Sequence, residues 1–202
     1  MNNTIITIGR EFGSGGRELG RRLAEELGYD YYDREILEEI SRRTDLSVEY
    51  VHQILENQPH SLLPITIGRS FTYVDHHTLH QLQSVYSEQT KVIREMADKS
   101  NCVIVGRCAS YILRDHNPFR IFVHADIDSR VKRCMEHMED GEKFTERQMK
   151  RHIRQVDKGR AKYFRFYTDR KWGYRSNYDL CINTTDVVIK DIVPVIAKLF
   201  KN

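Results

Sequence analysis

The chain has no hydrophobic run long enough to cross a membrane. A membrane-spanning helix needs roughly 20 consecutive apolar residues, and the 202-residue sequence contains no such stretch. Its first residues, Met-Asn-Asn-Thr, lack the basic start and the apolar segment of a signal peptide. We therefore expect a cytoplasmic protein without membrane partners.

Cysteine is also scarce, and its spacing excludes two classes of small site. The whole sequence contains four cysteines: Cys102, Cys108, Cys134 and Cys181. They show neither the close pairing of a disulfide framework nor the spacing of a zinc site. His76, His77 and His80 lie close in sequence, but no Cys or acidic residue apart from Asp75 is nearby to complete a metal site. We expect reduced thiols and no metal-ligating side chains.

A large charge excess is missing as well. The formal net charge is only +3, too small to require a nucleic-acid partner. Residues 143–175, however, hold twelve Lys or Arg against three acids, which favours an anionic partner such as a phosphate group. Four aromatic residues interleave with these charges and could stack bases, but core packing explains them more simply: Tyr163, Phe164, Phe166 and Tyr167. We therefore do not expect nucleic acid to be the partner.

Short apolar runs alternate with amphipathic helical patterns along the chain. The runs predict strands at residues 5–8, 31–32, 102–105, 119–124 and 178–182. The 3.6-residue periodicity predicts helices at about 19–27, 33–43, 47–55, 78–99, 128–138, from a capping box at Thr145 onward, and at 187–200. Residues 57–75 show little periodicity and are predicted to be a loop. Alternation of this kind predicts an α/β domain spanning 1–202, with a parallel sheet covered on both faces.

A glycine-rich loop follows the first predicted strand, in the segment TIGREFGSGGRELGRRLAEELG at residues 7–28. A standard P-loop has the pattern G-x-x-x-x-G-K-[ST] between a strand and a helix. With Gly16 as the second glycine, Glu11 replaces the first glycine, Arg17 replaces the lysine and Glu18 replaces the hydroxyl residue. The pattern is therefore matched only in part.

The physical requirements of a phosphate site are met better than the pattern. The residues Gly13, Ser14, Gly15 and Gly16 allow the backbone to approach a phosphate closely, and amides at the start of the next helix favour its charge. Arg17 supplies a fixed positive charge with a bidentate fork. Glu18 could reach Mg²⁺ or could stabilise the helix as a first-turn acid, and we favour the second interpretation.

Two other interpretations of the loop stay open. Gly13-x-Gly15 followed by Glu18 breaks the dinucleotide-binding pattern G-x-G-x-x-G at its third glycine, although Asp33 lies about twenty residues further on, as that fold requires. A glycine turn that binds no ligand is the other interpretation. The loop pattern alone does not decide among them.

Together with the second clear strand, the sequence resembles the cytidylate kinase-like family of P-loop nucleoside monophosphate kinases. Four segments carry the resemblance: ITIGREFGSGGRELGRRLAEELGYDYYD, CVIVGRCASYIL, FRIFVHADIDSRVKR, and DKGRAKYFRFYT followed by NYDLCINT. The resemblance implies a three-layer fold with about five parallel strands, a helical acceptor-binding insertion at about 38–85 and a lid at about 138–172. It also implies ATP and Mg²⁺ as cofactors.

The resemblance assigns roles to particular residues. The phosphate loop corresponds to residues 13–17, with Glu18 beside it. Asp33 corresponds to an acid at the edge of the acceptor site, and Arg107 to an arginine that grips the acceptor phosphate. Four residues fall in the lid: Arg151, Arg154, Asp157 and Arg160. From this we expect Arg17, Arg107, Arg154 and Arg160 to be catalytic, and Asp33, Arg107, Arg151 and Asp157 to bind substrate.

Simpler structural roles exist for several of these residues. Arg107 could form only a surface salt bridge at the sheet edge, Asp33 could cap the helix that follows it, and the basic lid stripe could be a solvated face. The favoured function is phosphoryl transfer from ATP to a small-molecule nucleotide, most simply CMP or dCMP. The alternatives are a nucleotide-binding sensor without turnover and a basic nucleic-acid-binding protein. The helix at 78–99 could also serve as a homodimer surface.

Overall fold

The computed structural model describes residues 3–56, 76–138 and 144–201. The loop predicted at 57–75 lies outside these ranges, as do the side chains of His76, His77 and His80. Five strands are present: β1 (Ile5–Arg10), β2 (Asp30–Tyr32), β3 (Cys102–Val105), β4 (Phe119–His124) and β5 (Leu180–Asn183). The helices are α1 (Gly16–Leu27), α2 (Glu35–Thr44), α3 (Val48–Glu56), α4 (His76–Lys99), α5 (Ala109–Ile112), α6 (Ile127–Glu136), α7 (Glu146–Thr168) and α8 (Ile189–Ala197).

The strands form one parallel sheet in the order β2-β3-β1-β4-β5. The central strand β1 pairs with β3 on one side and with β4 on the other. Because all strands run in the same direction, the loops that leave their carboxyl ends meet at one edge of the sheet. The segments after β1 and after β3, which carry the predicted site residues, are therefore neighbours.

Side chains alternate between the two faces of the sheet, and each face is covered by helices. On one face, Ile6 and Ile8 of β1 pack against Leu19 and Leu23 of α1 together with residues of α8. On the other face, Ile104 of β3 lies in a cluster with residues of α2, α3, α4, α5 and α7. The predicted three-layer α/β architecture is confirmed, and it follows from the short β-branched runs between amphipathic helices.

Several predicted details are confirmed and some boundaries are wrong. Thr145 and Gln148 form the predicted capping box at the start of α7. The last strand begins at Leu180 rather than at residue 178; just before it, Asp179 accepts two hydrogen bonds of 3.0 and 2.6 Å from the Arg120 side chain of β4. The short helix α5 was not predicted, since four residues are too few to show a period.

Candidate functional site

The loop between β1 and α1 has a conformation that only glycine adopts easily. Gly13 and Gly15 have φ angles of 74° and 78°, in the left-handed region. At Gly13 a side chain is excluded by space as well, because a Cβ atom there would lie 2.6 Å from the sulfur of Cys134. The glycines of the sequence pattern are therefore required by the backbone path.

Four carbonyl oxygens of this loop are hydrogen-bonded within the protein. The donor–acceptor pairs are Ser14 Oγ to the Glu11 carbonyl at 2.8 Å, Arg133 Nη1 to Gly13 at 2.8 Å, Thr184 Oγ1 to Ser14 at 2.7 Å, and the Leu19 amide to Gly15 at 2.9 Å. Four consecutive or near-consecutive carbonyls are thereby satisfied. None of these four oxygens is left without a donor, so none needs to turn toward the space in front of the loop amides.

The amides of the same loop are in the opposite situation. Within the part of the chain that the structure describes, the N–H groups of Gly13, Gly15, Gly16 and Arg17 have no hydrogen-bond acceptor. Three of them lie at the N-terminus of the twelve-residue helix α1, where the helix dipole favours negative charge. Carbonyls that are satisfied internally, combined with amides that are not, make the loop an anion-binding cradle.

A buried arginine anchors the loop through two acidic side chains. Arg130 of α6, only 5% exposed, binds Glu11 Oε2 at 2.6 Å and Asp157 Oδ2 at 2.6 Å. The same two acids bind backbone amides, Glu11 that of Ala125 at 3.2 Å and Asp157 that of Phe12 at 2.8 Å. Glu11, which stands where a standard P-loop has glycine, therefore anchors the loop to the segment after β4.

Asp157 was predicted to bind substrate, and its carboxylate is engaged elsewhere in this structure. Its Oδ1 accepts the Phe12 amide and its Oδ2 accepts Arg130. Burial raises the pKa of Asp157, and the hydrogen bond from Phe12 and the charge of Arg130 oppose that rise. The geometry assigns this side chain to fastening α7 onto the phosphate loop.

Asp33 lies at the end of β2 with arginines on two sides. Arg17 Nε lies 2.6 Å from Oδ2 of Asp33, and Arg10 Nη2 lies 3.8 Å from its Oδ1. The Asp33 side chain is 7% exposed, whereas that of Arg17 is 68% exposed. The interpretation of Asp33 as the N-cap of the next helix is wrong, because α2 is preceded by Arg34 and has no side-chain cap.

One oxygen of Asp33 is left for a further donor. Its Oδ1 is buried and has no hydrogen-bond partner in the described residues, apart from the distant ion-pair contact with Arg10. A buried acceptor of this kind costs free energy until a donor reaches it. A hydroxyl or amino group is a suitable donor, and the substrate role of Asp33 stays a prediction.

Arg107 follows β3 on an unusual turn. Gly106, Arg107 and Cys108 have φ angles of 78°, 54° and 54°, so three successive residues are left-handed. Such a conformation at a non-glycine residue costs about 1–3 kcal/mol and occurs often at functional sites. At Gly106 the positive φ disfavours any residue with a side chain, and a Cβ atom there would also force the guanidinium group of Arg10 to move.

Arg107 lines two neighbouring spaces at the carboxyl edge of the sheet. The first, which we call the α2–α3 cleft, has a volume of about 430 Å³ and is lined by Arg17, Asp33, Arg34, Leu37, Val48, Glu49, His52, Gln53 and Arg107. The second, the arginine cavity, is about 50 Å³ and includes Arg10, Arg107 and Arg160. No acid is found among the described residues that line the arginine cavity. Arg10 also pairs with Asp33 outside this cavity, and the summed positive charge of the three arginines that line the cavity favours an anion.

The structure places the other predicted residues in three different surroundings. Arg160 reaches the sheet edge, where its Nη1 lies 3.5 Å from the Arg10 carbonyl and its guanidinium lies over the Phe12 ring. Arg151 and Arg154 are exposed on α7. Glu18 binds Arg22 at 2.7 Å, one turn along α1, which agrees with its favoured interpretation as a first-turn acid.

Magnesium has no ready ligand set among the side chains near the loop. Glu11 is bound by Arg130, Glu18 by Arg22, and Asp33 by Arg17. The described residues contain no group of three or more His, Cys, Asp or Glu side chains placed to hold a metal ion. Protein carboxylates in this arrangement do not fit a Mg²⁺ site. Within the described ranges, no helix is both long and apolar enough to span a membrane.

Sequence reasoning missed three arginines of the site. Arg10 follows the apolar residues of β1 directly, and a charged residue at the carboxyl end of a central strand is a signal that could have been used. Arg130 and Arg133 are spaced by three on α6, so they share a helical face. Nothing in the sequence indicates that this face meets the phosphate loop.

The sheet order, the cradle of amides and the arginines at one edge define a protein of the P-loop kinase fold. The chain belongs to the cytidylate kinase-like family, whose model matches residues 5–186. No curated protein matches the chain.

Solved structures support the same fold. An uncharacterized protein from Eubacterium ventriosum ATCC 27560 is 29% identical, with a TM-score of 0.71 and 99% of each chain covered. Shikimate kinase from Bacteroides thetaiotaomicron is 14% identical, with a TM-score of 0.58, over 98% of this chain and 99% of the other. Shikimate kinase from Acinetobacter baumannii, in complex with shikimate, is 16% identical, with a TM-score of 0.55, over 100% and 94%.

Proposed function

We propose that this protein transfers the γ-phosphoryl group of ATP, supplied as its magnesium complex, to a small acceptor, most simply CMP or dCMP. The observation that carries the proposal is the loop in which four carbonyls are satisfied internally while the amides of Gly13, Gly15, Gly16 and Arg17 are left for a ligand. Kinases of this fold use ATP and Mg²⁺ in general, and family membership supports the same chemistry.

The donor and acceptor are proposed to meet at the arginine cavity. The loop amides hold the donor phosphates from one side. The α2–α3 cleft, with Asp33 at its base, holds the acceptor from the other side. Arg107 lines both spaces and is therefore placed to touch the group that moves between them. Phosphoryl transfer depends on in-line positioning and on stabilising the charge of the transferring group, and guanidinium groups supply both.

Lid residues are assigned by the same reasoning. Arg160, already at the arginine cavity, is proposed to contact the transferring phosphoryl group. Arg151 and Arg154 are exposed on the preceding turns of α7 and are proposed to approach the nucleotide when the lid closes. Arg17 forms an ion pair with Asp33 in this structure. It is proposed either to bind the donor phosphates or to alternate between Asp33 and those phosphates.

A panel of acceptors in a coupled ADP-release assay tests the proposal. We expect ATP-dependent ADP release with CMP or dCMP, and much less with UMP, AMP, GMP and shikimate. Shikimate belongs in the panel because it is bound in one of the similar structures. ADP release with shikimate alone would correct the acceptor and keep the reaction class.

Two outcomes would contradict the kinase assignment. If ATP raised the melting temperature but no acceptor released ADP, the protein would be a nucleotide sensor. If oligonucleotide binding fell steeply with salt while ATP had no effect, the basic face of α7 would bind nucleic acid. The aromatic residues near that face argue against stacking on bases, since Tyr163 and Phe164 are buried and Tyr167 stacks on Tyr86 at 3.8 Å.

A further inference from the structure

A fully buried glutamine bridges three parts of the site edge. Gln89 of α4 has no exposed surface. Its Nε2 donates to the carbonyl oxygen of Arg107 at 3.1 Å, and its Oε1 accepts from the hydroxyl of Tyr163 on α7 at 3.4 Å. A buried amide is unfavourable unless its donor and acceptor are both used. This chain from Tyr163 through Gln89 to Arg107, the Gln89 bridge, uses both.

The Arg107 carbonyl is the point where this bridge meets the left-handed turn. Arg107 and Cys108 both have φ angles of 54°. Residues with side chains keep such angles only where their surroundings enforce them. The Gln89 amide supplies a hydrogen bond to the middle of this turn, at the residue that lines both the α2–α3 cleft and the arginine cavity.

Tyr163 connects the bridge to the helix that carries Arg160. The two residues lie three apart on α7, and both line the arginine cavity. Burial keeps the pKa of the Tyr163 hydroxyl well above its usual value, so the hydroxyl retains the proton that it donates. The position of α7 and the turn at 106–108 are therefore joined by two consecutive hydrogen bonds.

We propose that Gln89 and Tyr163 are positioning residues that fix the turn at 106–108 and so hold the Arg107 guanidinium toward the acceptor. Neither residue touches the reacting atoms on this account. The kinetic consequence depends on the proposed kinase function, whereas the effect on the turn does not.

Two substitutions remove the bridge while keeping its shape. Gln89→Met keeps the length of the side chain and removes both polar ends, and Tyr163→Phe removes one hydroxyl. For Gln89→Met we expect kcat/KM for the acceptor to fall about 10-fold, the scale of one lost buried hydrogen bond. The KM for ATP should stay within about twofold of the wild-type value, because the Gln89 bridge makes no hydrogen bond to the amides of the loop after β1. The double variant should be no worse than Gln89→Met alone, because Tyr163 acts through Gln89.

Each substitution has a matched control on the same helix. Tyr167→Phe removes a hydroxyl one turn further along α7, and Thr90→Val removes the hydroxyl that bonds to the carbonyl of Tyr86 within α4. Both should leave acceptor kinetics unchanged. A fall in melting temperature for Gln89→Met with unchanged kcat/KM for the acceptor would make the bridge merely structural and would overturn the proposal.

Hydrogen exchange decides the proposal without any turnover. In the peptide covering 102–113, the Ala109 amide bonds to the Gly106 carbonyl at 3.0 Å and reports opening of the turn. Gln89→Met should speed exchange in this peptide and leave the peptide covering 5–18 unchanged. Equal exchange in wild type and variant would overturn the proposal. Wild-type protein that turns over no acceptor would instead refute the proposed function, and the exchange result would still stand.

Discussion

Replacing Arg107 with alanine is expected to lower kcat/KM for the acceptor about 10²–10³-fold, the scale of losing one donor to a developing charge. Arg107 is buried, sits on a left-handed turn at the carboxyl end of β3, and lines both the α2–α3 cleft and the arginine cavity. Among the residues that the structure describes, Arg107 alone lines both the cleft and the cavity. The loss should fall mainly on kcat if Arg107 binds the transferring group more strongly in the transition state.

A second variant separates catalysis from folding. Arg107→Lys keeps the positive charge and loses the bidentate fork. It should therefore recover part of the rate that Arg107→Ala loses, but little of the bidentate contact with the phosphoryl group. Arg114→Ala is the matched control, because Arg114 lies seven residues further along, on the surface beside Tyr111. Circular dichroism must show that Arg107→Ala is folded at the assay temperature. A folded Arg107→Ala enzyme with kcat/KM within threefold of wild type would show that this arginine only supports the sheet edge.

Replacing Arg130 with methionine is expected to destabilise the protein by about 3–5 kcal/mol, the scale of breaking a buried ion pair from one side. Arg130 is the cation between Glu11 and Asp157, and each carboxylate lies 2.6 Å from it. Without the arginine, the two acids would face each other in a partly buried site with no cation between them. Urea denaturation followed by circular dichroism measures the loss as a change in the free energy of unfolding.

Removing the two acids provides the rescue, and an exposed ion pair elsewhere provides the control. Adding Glu11→Gln and Asp157→Asn to Arg130→Met removes both unpaired charges, so the triple variant should recover much of the lost stability. Arg21→Met breaks an exposed pair with Glu25 on α1 and should cost about 0.5 kcal/mol or less. A loss below about 1 kcal/mol for Arg130→Met would mean that this cluster does not hold the phosphate loop.

Periodicity was sufficient to predict the sheet and most of its helices. The runs at Ile5 and Cys102 are β-branched and apolar on both sides, so they identify strands that are buried on both faces. Parallel strands then bring their following loops to one edge. This is why the predicted neighbourhood of the Gly13 loop, Asp33 and Arg107 agrees with the structure, where Arg17 and Arg107 line one cleft with Asp33.

The support of the loop could not be predicted, because its contacts join distant parts of the chain. Asp157 meets the Phe12 amide across 145 residues, and Glu11 meets the Ala125 amide across 114. A motif alignment treats Glu11 only as a departure from glycine. The structure gives this departure a purpose, since the carboxylate of Glu11 fastens the loop through Arg130.

Amide chemical shifts during an ATP titration test the central claim most directly. In ¹⁵N-labelled protein with ATP and Mg²⁺, the account predicts that the largest shifts fall on the amides of Gly13, Gly15, Gly16 and Arg17, and that they saturate together. The Ser14 amide, which bonds to the Glu11 carbonyl, should shift less. Saturable ATP binding whose shifts lie elsewhere and leave these four amides unmoved would contradict the account.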